Sequence, residues 1–240
     1  MRINTIKNKD RKFSAWIISV DMGYGHQRAA YPLRDIAFEK IITANNDNMI
    51  FKNEQSMWEN SRITYEFFSR LNQVYLLNIF LKPFNNLFHI SSFFPFKNLS
   101  KPDFVVYRIK NFLKKGLCKS LVEYTSKNDF PIITTHFIPA LAYDYAGKNS
   151  YCVVTDTDIT RSWVAEIPSK SKITYFSSCR HATARLKQYG VPEDKIVETG
   201  FPLPKENIGK NKEIVKKDLL ARLLNLDPNG IFFSKYAEMV

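Results

Sequence analysis

Ala15-Trp16-Ile17-Ile18-Ser19-Val20-Asp21-Met22-Gly23-Tyr24-Gly25-His26 opens on an unbroken apolar run and closes on a glycine loop. Such a run without alternation is the pattern of a strand buried on both faces, and two glycines directly after it permit a tight turn into a helix. Helical spacing follows from about His26 to Ala44, with Pro32 inside it requiring either an early start or a kink. Strand, glycine loop and helix form the opening unit of a doubly wound α/β sheet, whose ligands bind at the carboxyl ends of the strands.

The same alternation recurs downstream. PIITTH (Pro131 to His136), YCVVTD (Tyr151 to Asp156), KITYFSS (Lys172 to Ser178) and KIVETG (Lys195 to Gly200) read as short strands. Between them, about 103–126, 139–147 and 181–189 read as helices, the last stopped by Gly190 and Pro192. The expected architecture is Rossmann-like α/β, a doubly wound and mostly parallel sheet over residues 1–204 with an aromatic-rich helical insertion at about 55–100. From 205 to 240 the composition turns Lys/Asn/Glu-rich, with a helix expected at about 213–226 and an apolar strand start at Ile231 to Phe233.

Composition narrows the classes. A hydrophobic fraction of 45% with 24% charged residues is that of a folded globular chain. The net charge of +12 favours polyanionic partners, but the chain lacks helix-turn-helix, zinc-finger and RNP-like signatures, which argues against nucleic acid. Cys118, Cys152 and Cys179 are widely spaced and the four histidines show no ligand spacing, so neither a disulfide framework nor a metal site is expected. No apolar stretch reaches the roughly 18–20 residues of a membrane span, and the polar, basic start argues against an export signal, so a cytoplasmic location is expected.

Candidate chemistry gathers on the strand ends. Gly23 and Gly25 suit a close backbone approach, Arg28 adds a cation for a phosphate, and His26 suits a general base; the same residues also make a plain tight turn whose histidine caps a helix. Asp156 ends a strand on the same edge, where it can orient His26, bind a hydroxyl or act as base, while Asp156 or Asp158 can equally cap the next turn. His136 closes a neighbouring strand, as a site residue or as a helix start bonded to backbone. His89 and His181 read as structural. The Phe-rich region from Glu66 to Phe96, with Arg70, Lys82 and Lys97 and then Lys101, Arg108, Lys110, Lys114, Lys115 and Lys119, is compatible with an interfacial membrane patch or with ordinary core helices.

Taken together, GYGHQRAA, VVTD, Trp163, YFSSCRHATARLKQYGVPEDKI and ETGFP resemble the N-terminal half of the processive glycolipid synthases, the monogalactosyl- and diglucosyl-diacylglycerol synthases, over roughly residues 14–204. The family's GxGHxxAA is matched by Gly23, Gly25, His26, Ala29 and Ala30, its VTD by Thr155 and Asp156, its tryptophan by Trp163, and its TGxP hinge by Thr199, Gly200 and Pro202. Thr160 stands where many members carry a histidine, and Tyr24 where the plant enzymes carry glycine.

The resemblance implies the N-terminal half of a GT-B glycosyltransferase that binds acceptor and membrane. His26 and Asp156 would be the catalytic pair, Gly23, Gly25, Arg28, His136 and Trp163 would contact the acceptor or a phosphate, and Gly200 and Pro202 would form the hinge. It implies no cofactor, a UDP-sugar donor, a lipid acceptor, anionic membrane lipids as partners and a peripheral position at the inner face of the membrane. The nucleotide-sugar site would belong to a C-terminal donor domain or to a separate donor-binding subunit, since Val240 falls about where that domain's first strand is expected. The alternative is a non-catalytic module of the same fold that binds membrane or a phosphorylated ligand.

Overall fold

The computed structural model describes residues 13–60, 90–227 and 229–236. Most of the expected aromatic insertion, with His89, lies outside the described residues. By internal packing the chain divides into two compact units, Met1–Pro202 and Leu203–Val240.

The larger unit is α/β, with six parallel strands among the described residues: β1 Ala15–Ser19, β2 Ala37–Thr43, β3 Ile132–Thr134, β4 Ser150–Val153, β5 Ile173–Ser177 and β6 Ile196–Glu198. Their order is β2-β1-β3-β4-β5-β6, so the chain leaves β1 in one direction to make β2 and later returns to lay β3 on the other side. All five residues of β1 are buried, as expected of a central parallel strand covered on both faces. Trp16, Ile18 and Val20 enter the large core layer, while Ala15 and Ile17 face a small one with Ala30 and Ala37.

Helix α1 (Tyr24–Ala30) follows the glycine loop and passes into a 3-10 segment, Tyr31–Ile36, with Pro32 in its first turn. Here the expected helix to Ala44 is corrected: residues 37–43 are strand β2, paired in parallel with β1. Pro32 has no N–H with which to continue the α-helical ladder. Beyond it, the β-branched Ile41-Ile42-Thr43 end serves the sheet, Ile41 facing the small layer and Ile42 the large one. Phe38 packs edge-on against Trp16 at 4.9 Å.

Helical residues 52–60, here α2, lie before the insertion. Helix α3 (Phe104–Lys114) starts at Asp103, whose carboxylate accepts from the Val106 N–H at 2.9 Å, and it buries Val106, Ile109 and Leu113 at helical spacing. The single helix expected at 103–126 is broken at Gly116 and at Cys118, which has φ 63°, so a separate α4 (Lys119–Thr125) follows. Helices α5 (Phe137–Tyr145) and α6 (Arg180–Gln188) follow β3 and β5.

The smaller unit holds α7 (Lys205–Ile208), α8 (Glu213–Leu226) and α9 (Ile231–Tyr236). The apolar Ile231 to Phe233, expected to open a strand, instead opens α9, ahead of which the Gly230 N–H donates to the Asp227 carbonyl and the Gly230 carbonyl accepts from the Ser234 N–H, both at 2.9 Å.

Candidate functional site

The strand order reverses between β1 and β3, and the loops leaving their carboxyl ends part there. A crevice at such a switch point is where open α/β sheets bind ligands. Gly23 holds φ 113° and ψ 153°, a conformation essentially restricted to glycine, and this turn swings His26 back over the end of β3.

His26 Nδ1 lies 2.7 Å from the Thr135 carbonyl oxygen. A carbonyl can only accept, so Nδ1 carries the hydrogen and, in the neutral ring, Nε2 keeps its lone pair. Thr135 Oγ1 in turn donates to the His26 carbonyl at 3.0 Å, so the two loops are stitched by reciprocal bonds. Burial of the half-buried ring lowers the His26 pKa below the ordinary histidine value of 6.5; the Thr135 bond and the charge of Asp156 oppose that shift without cancelling it. The ring is therefore a neutral base at pH 7.

His136 sits beside it, ring centroids 4.7 Å apart and edge to face. It is the N-cap of α5, its Nδ1 accepting from the Ile138 N–H at 3.2 Å, so in the neutral ring the hydrogen is on Nε2. Burial, and then the neighbouring His26, hold its pKa well below the ordinary value. Trp58, Phe137 and Trp163 wall it in, at ring separations of 6.1, 4.3 and 6.3 Å. His136 thus combines both readings of the sequence: it bonds backbone at a helix start and is also half of a histidine pair.

Asp156 and Thr155 follow β4, the neighbour of β3. Thr155 Oγ1 is 3.3 Å from His26 Nδ1. The cleft walls raise the Asp156 pKa by desolvation, against the opposing effect of His26, although the residue reaches solvent. Among the described residues no hydrogen bond reaches its carboxylate.

Trp163, in the 3-10 turn Arg161–Trp163, is buried and lies 6.4 Å from the His26 ring. Sequence reasoning passed over Arg161, which fixes that turn: its buried guanidinium donates to the carbonyls of Ser100, Val164, Ala165 and Glu166. It also passed over Thr135, which acts through its backbone carbonyl.

The structure therefore brings together His26, His136, Thr155, Asp156 and Trp163 around the Gly23 turn. Gly25 lies within α1 with open space around it, and Arg28 is exposed on the last turn of that helix. Gly200 has φ 81° beyond β6, donates its N–H to the Ser177 carbonyl at 3.2 Å, and precedes Pro202, where the larger unit ends.

A second constellation borders the first. Asp158 receives Arg185 Nε at 2.7 Å and Nη2 at 2.9 Å, His181 Nε2 at 2.9 Å and the Ile159 N–H at 2.8 Å. Burial would raise its pKa, but these bonds outweigh it and hold the carboxylate below its ordinary range. His181, read as structural, is held by Asp158, and its ring also packs on Phe93 at 4.5 Å. Arg185 and Gln188 further hold the carbonyls of Ser91 and Phe93 at 2.8 and 3.2 Å. That clamp presents Phe94 and Phe96, 76% and 62% exposed, beside the exposed Lys97 and Lys101.

Among the described residues no group of three or more His, Cys, Asp or Glu is placed to share a metal ion, and no helix is long and apolar enough to cross a membrane. No family model, no curated protein and no solved structure matches this chain.

Proposed function

We propose that this chain is the acceptor-binding half of an inverting glycosyltransferase of GT-B type, moving a hexose from a UDP-sugar to a lipid hydroxyl at a membrane surface. The observation that carries the reading is the state of His26: a backbone carbonyl fixes its hydrogen on Nδ1, leaving Nε2 to accept the acceptor's proton at a sheet switch point. Asp156 contributes charge beside the imidazolium that forms, and its effect on the His26 pKa is in the required direction. The acceptor oxygen bonds to the anomeric carbon of the sugar as its proton passes to His26 Nε2, and the bond from that carbon to the oxygen of the departing UDP breaks; the residues that hold that diphosphate would belong to another domain or subunit. The clamped Phe94 and Phe96 with their flanking lysines support a position at anionic lipid on the cytoplasmic face.

The test uses the native protein purified with whatever associates with it. UDP release from a UDP-hexose is expected to require a lipid acceptor and to fall about 10²–10⁴-fold in His26→Ala. Its pH profile is expected to lose activity on the acid side below the ordinary histidine value of 6.5, because His26 is shifted downward. Lipid binding without turnover, unchanged in His26→Ala, would assign the chain to the non-catalytic alternative.

A further inference from the structure

Two residues of α2 are buried, Glu54 and Trp58, at 1% and 2% exposure. They stand four positions apart, one turn along the same face. Trp58 carries that face to the candidate site, its ring 6.1 Å from His136. Glu54 reaches elsewhere: its Oε1 accepts the N–H of Ser120, 66 residues on, at 2.9 Å. We propose that Glu54 is a positioning residue of the candidate site, fastening α2 to the start of α4 so that Trp58 stays closed against His136.

The bond answers a need of α4. Its opening amides have no partners within the helix, and Cys118, in the cap position with φ 63°, makes no side-chain cap bond. Glu54 supplies from a distant helix the acceptor that a local cap would otherwise provide. By itself the burial is unfavourable: Glu54 Oε2 has no hydrogen-bond partner among the described residues, and desolvation raises the pKa of this carboxyl above its ordinary value of 4.5, although the Ser120 N–H opposes the shift. An apolar side chain would fill the position without that cost, so what distinguishes Glu54 is its hold on α4.

That hold closes a ring of contacts on His136. Helix α4 is joined to α5 by Thr125 Oγ1 and the Tyr143 hydroxyl, 2.6 Å apart, and α5 starts from His136, which returns to α2 through Trp58. The side-chain bonds of Gln55 and Ser56 stay local, ending on the carbonyls of Asp47, Ile50 and Lys52. Releasing Glu54 therefore loosens α2 from the rest of the ring and admits water to an imidazole that burial holds neutral. A His136 cation with its ring 4.7 Å from that of His26 would oppose the positive charge that His26 takes up as a base. That catalytic consequence rests on the proposed function; the hold on His136 stands separately.

The experiment follows the ring protons of His26 and His136 by NMR in the full chain between about pH 5 and 8, a range that brackets the ordinary histidine pKa. Glu54→Met keeps the side-chain volume and removes the acceptor, Glu54→Gln keeps an oxygen for the Ser120 N–H, and Ser120→Ala leaves that backbone bond intact. Asp156, which faces His26, and Cys118 and Glu123, which face Glu54, are the same in every variant. Glu54→Met is expected to raise the His136 pKa by about one pH unit or more, a tenfold change in its protonation, while Glu54→Gln and Ser120→Ala titrate like the unaltered protein. Should Glu54→Met not fold, Glu54→Asp, one methylene short of the bond, is read in its place. No shift, or an equal shift in Glu54→Gln, overturns the proposal. Where UDP release is measured in parallel, its acid limb in Glu54→Met is expected to move to higher pH with His136. A His136 shift in a protein that releases no UDP would keep the positioning role and refute the proposed function; turnover with His136 unmoved would do the reverse.

Discussion

Asp156 and Asp158 share one loop after β4, and each faces a histidine, yet the two carboxylates have opposite surroundings. Asp158 is filled: Arg185, His181 and the Ile159 N–H occupy it, and its pKa is pulled down. The Asp156 carboxylate receives no hydrogen bond among the described residues, and desolvation pushes its pKa up. The histidines differ in the same way. His181 spends its Nε2 on Asp158, whereas His26 spends Nδ1 on a carbonyl and keeps Nε2 for something else. Residue type and sheet edge are common to both regions, so neither distinguishes a site from a strut. Unspent hydrogen-bonding capacity does, because a structural polar group is stabilising only once its partners are in place.

The largest effect expected from this contrast is on stability. Asp158→Asn leaves the guanidinium of Arg185, 1% exposed, without its counter-charge, and should cost about 3–5 kcal/mol in urea unfolding. Asp156→Asn should change stability by less than about 0.5 kcal/mol. Equal losses would mean that Asp156 has structural partners and would remove it from the candidate site.

Acid sharpens the same division into two pH windows. Because the folded-state pKa of His136 lies well below 6.5, the unfolded chain binds the extra proton first as pH falls. Stability attributable to its neutral ring is therefore complete above about pH 7 and is lost at about 1.4 kcal/mol per pH unit below ~6.5, until the folded pKa is reached. Asp158 runs on a lower window: its folded pKa is depressed, so its contribution is present above the ordinary value of 3.8 and disappears as pH falls through the folded value. His136→Asn, which keeps a side-chain cap for α5, should reduce the slope of the first window to the smaller part that His26 contributes and leave the second, as read from urea midpoints between pH 7 and 3. An unchanged slope between pH 6.5 and 5 would show that His136 is not held neutral.

How far the sequence reached follows from the range of each signal. The buried strands at 15–20, 131–136, 151–156 and 172–178 were legible because short β-branched runs bounded by turn residues are local features, and His26, His136 and Asp156 could be placed from strand ends alone. Strand β2 was not, because Phe38-Glu39-Lys40 mixes charge into a short strand and its pairing with β1 is a tertiary fact. The Asp158–Arg185 clamp joins residues 27 apart, and the Thr135 carbonyl that fixes His26 has no side-chain signature. What remained hidden was the hydrogen-bond accounting, which separates Asp156 from Asp158 and is a property of the folded chain.

The smallest predicted effect concerns the two glycines of the loop, which look alike in sequence. Gly23 carries φ 113° and Gly25 lies inside α1, and a Cβ built on either meets no atom within 4 Å. With sterics equal, only backbone conformation separates them. Gly23→Ala should cost about 1–3 kcal/mol, the strain of a region other residues rarely enter, and should lower activity by moving His26 off the Thr135 carbonyl. Gly25→Ala should be neutral or stabilise by up to about 1 kcal/mol, since alanine restricts the unfolded chain and suits a helix. If both substitutions leave stability unchanged but Gly25→Ala alone abolishes turnover, then the close backbone approach belongs to Gly25, and a ligand rather than the turn is what the second glycine accommodates.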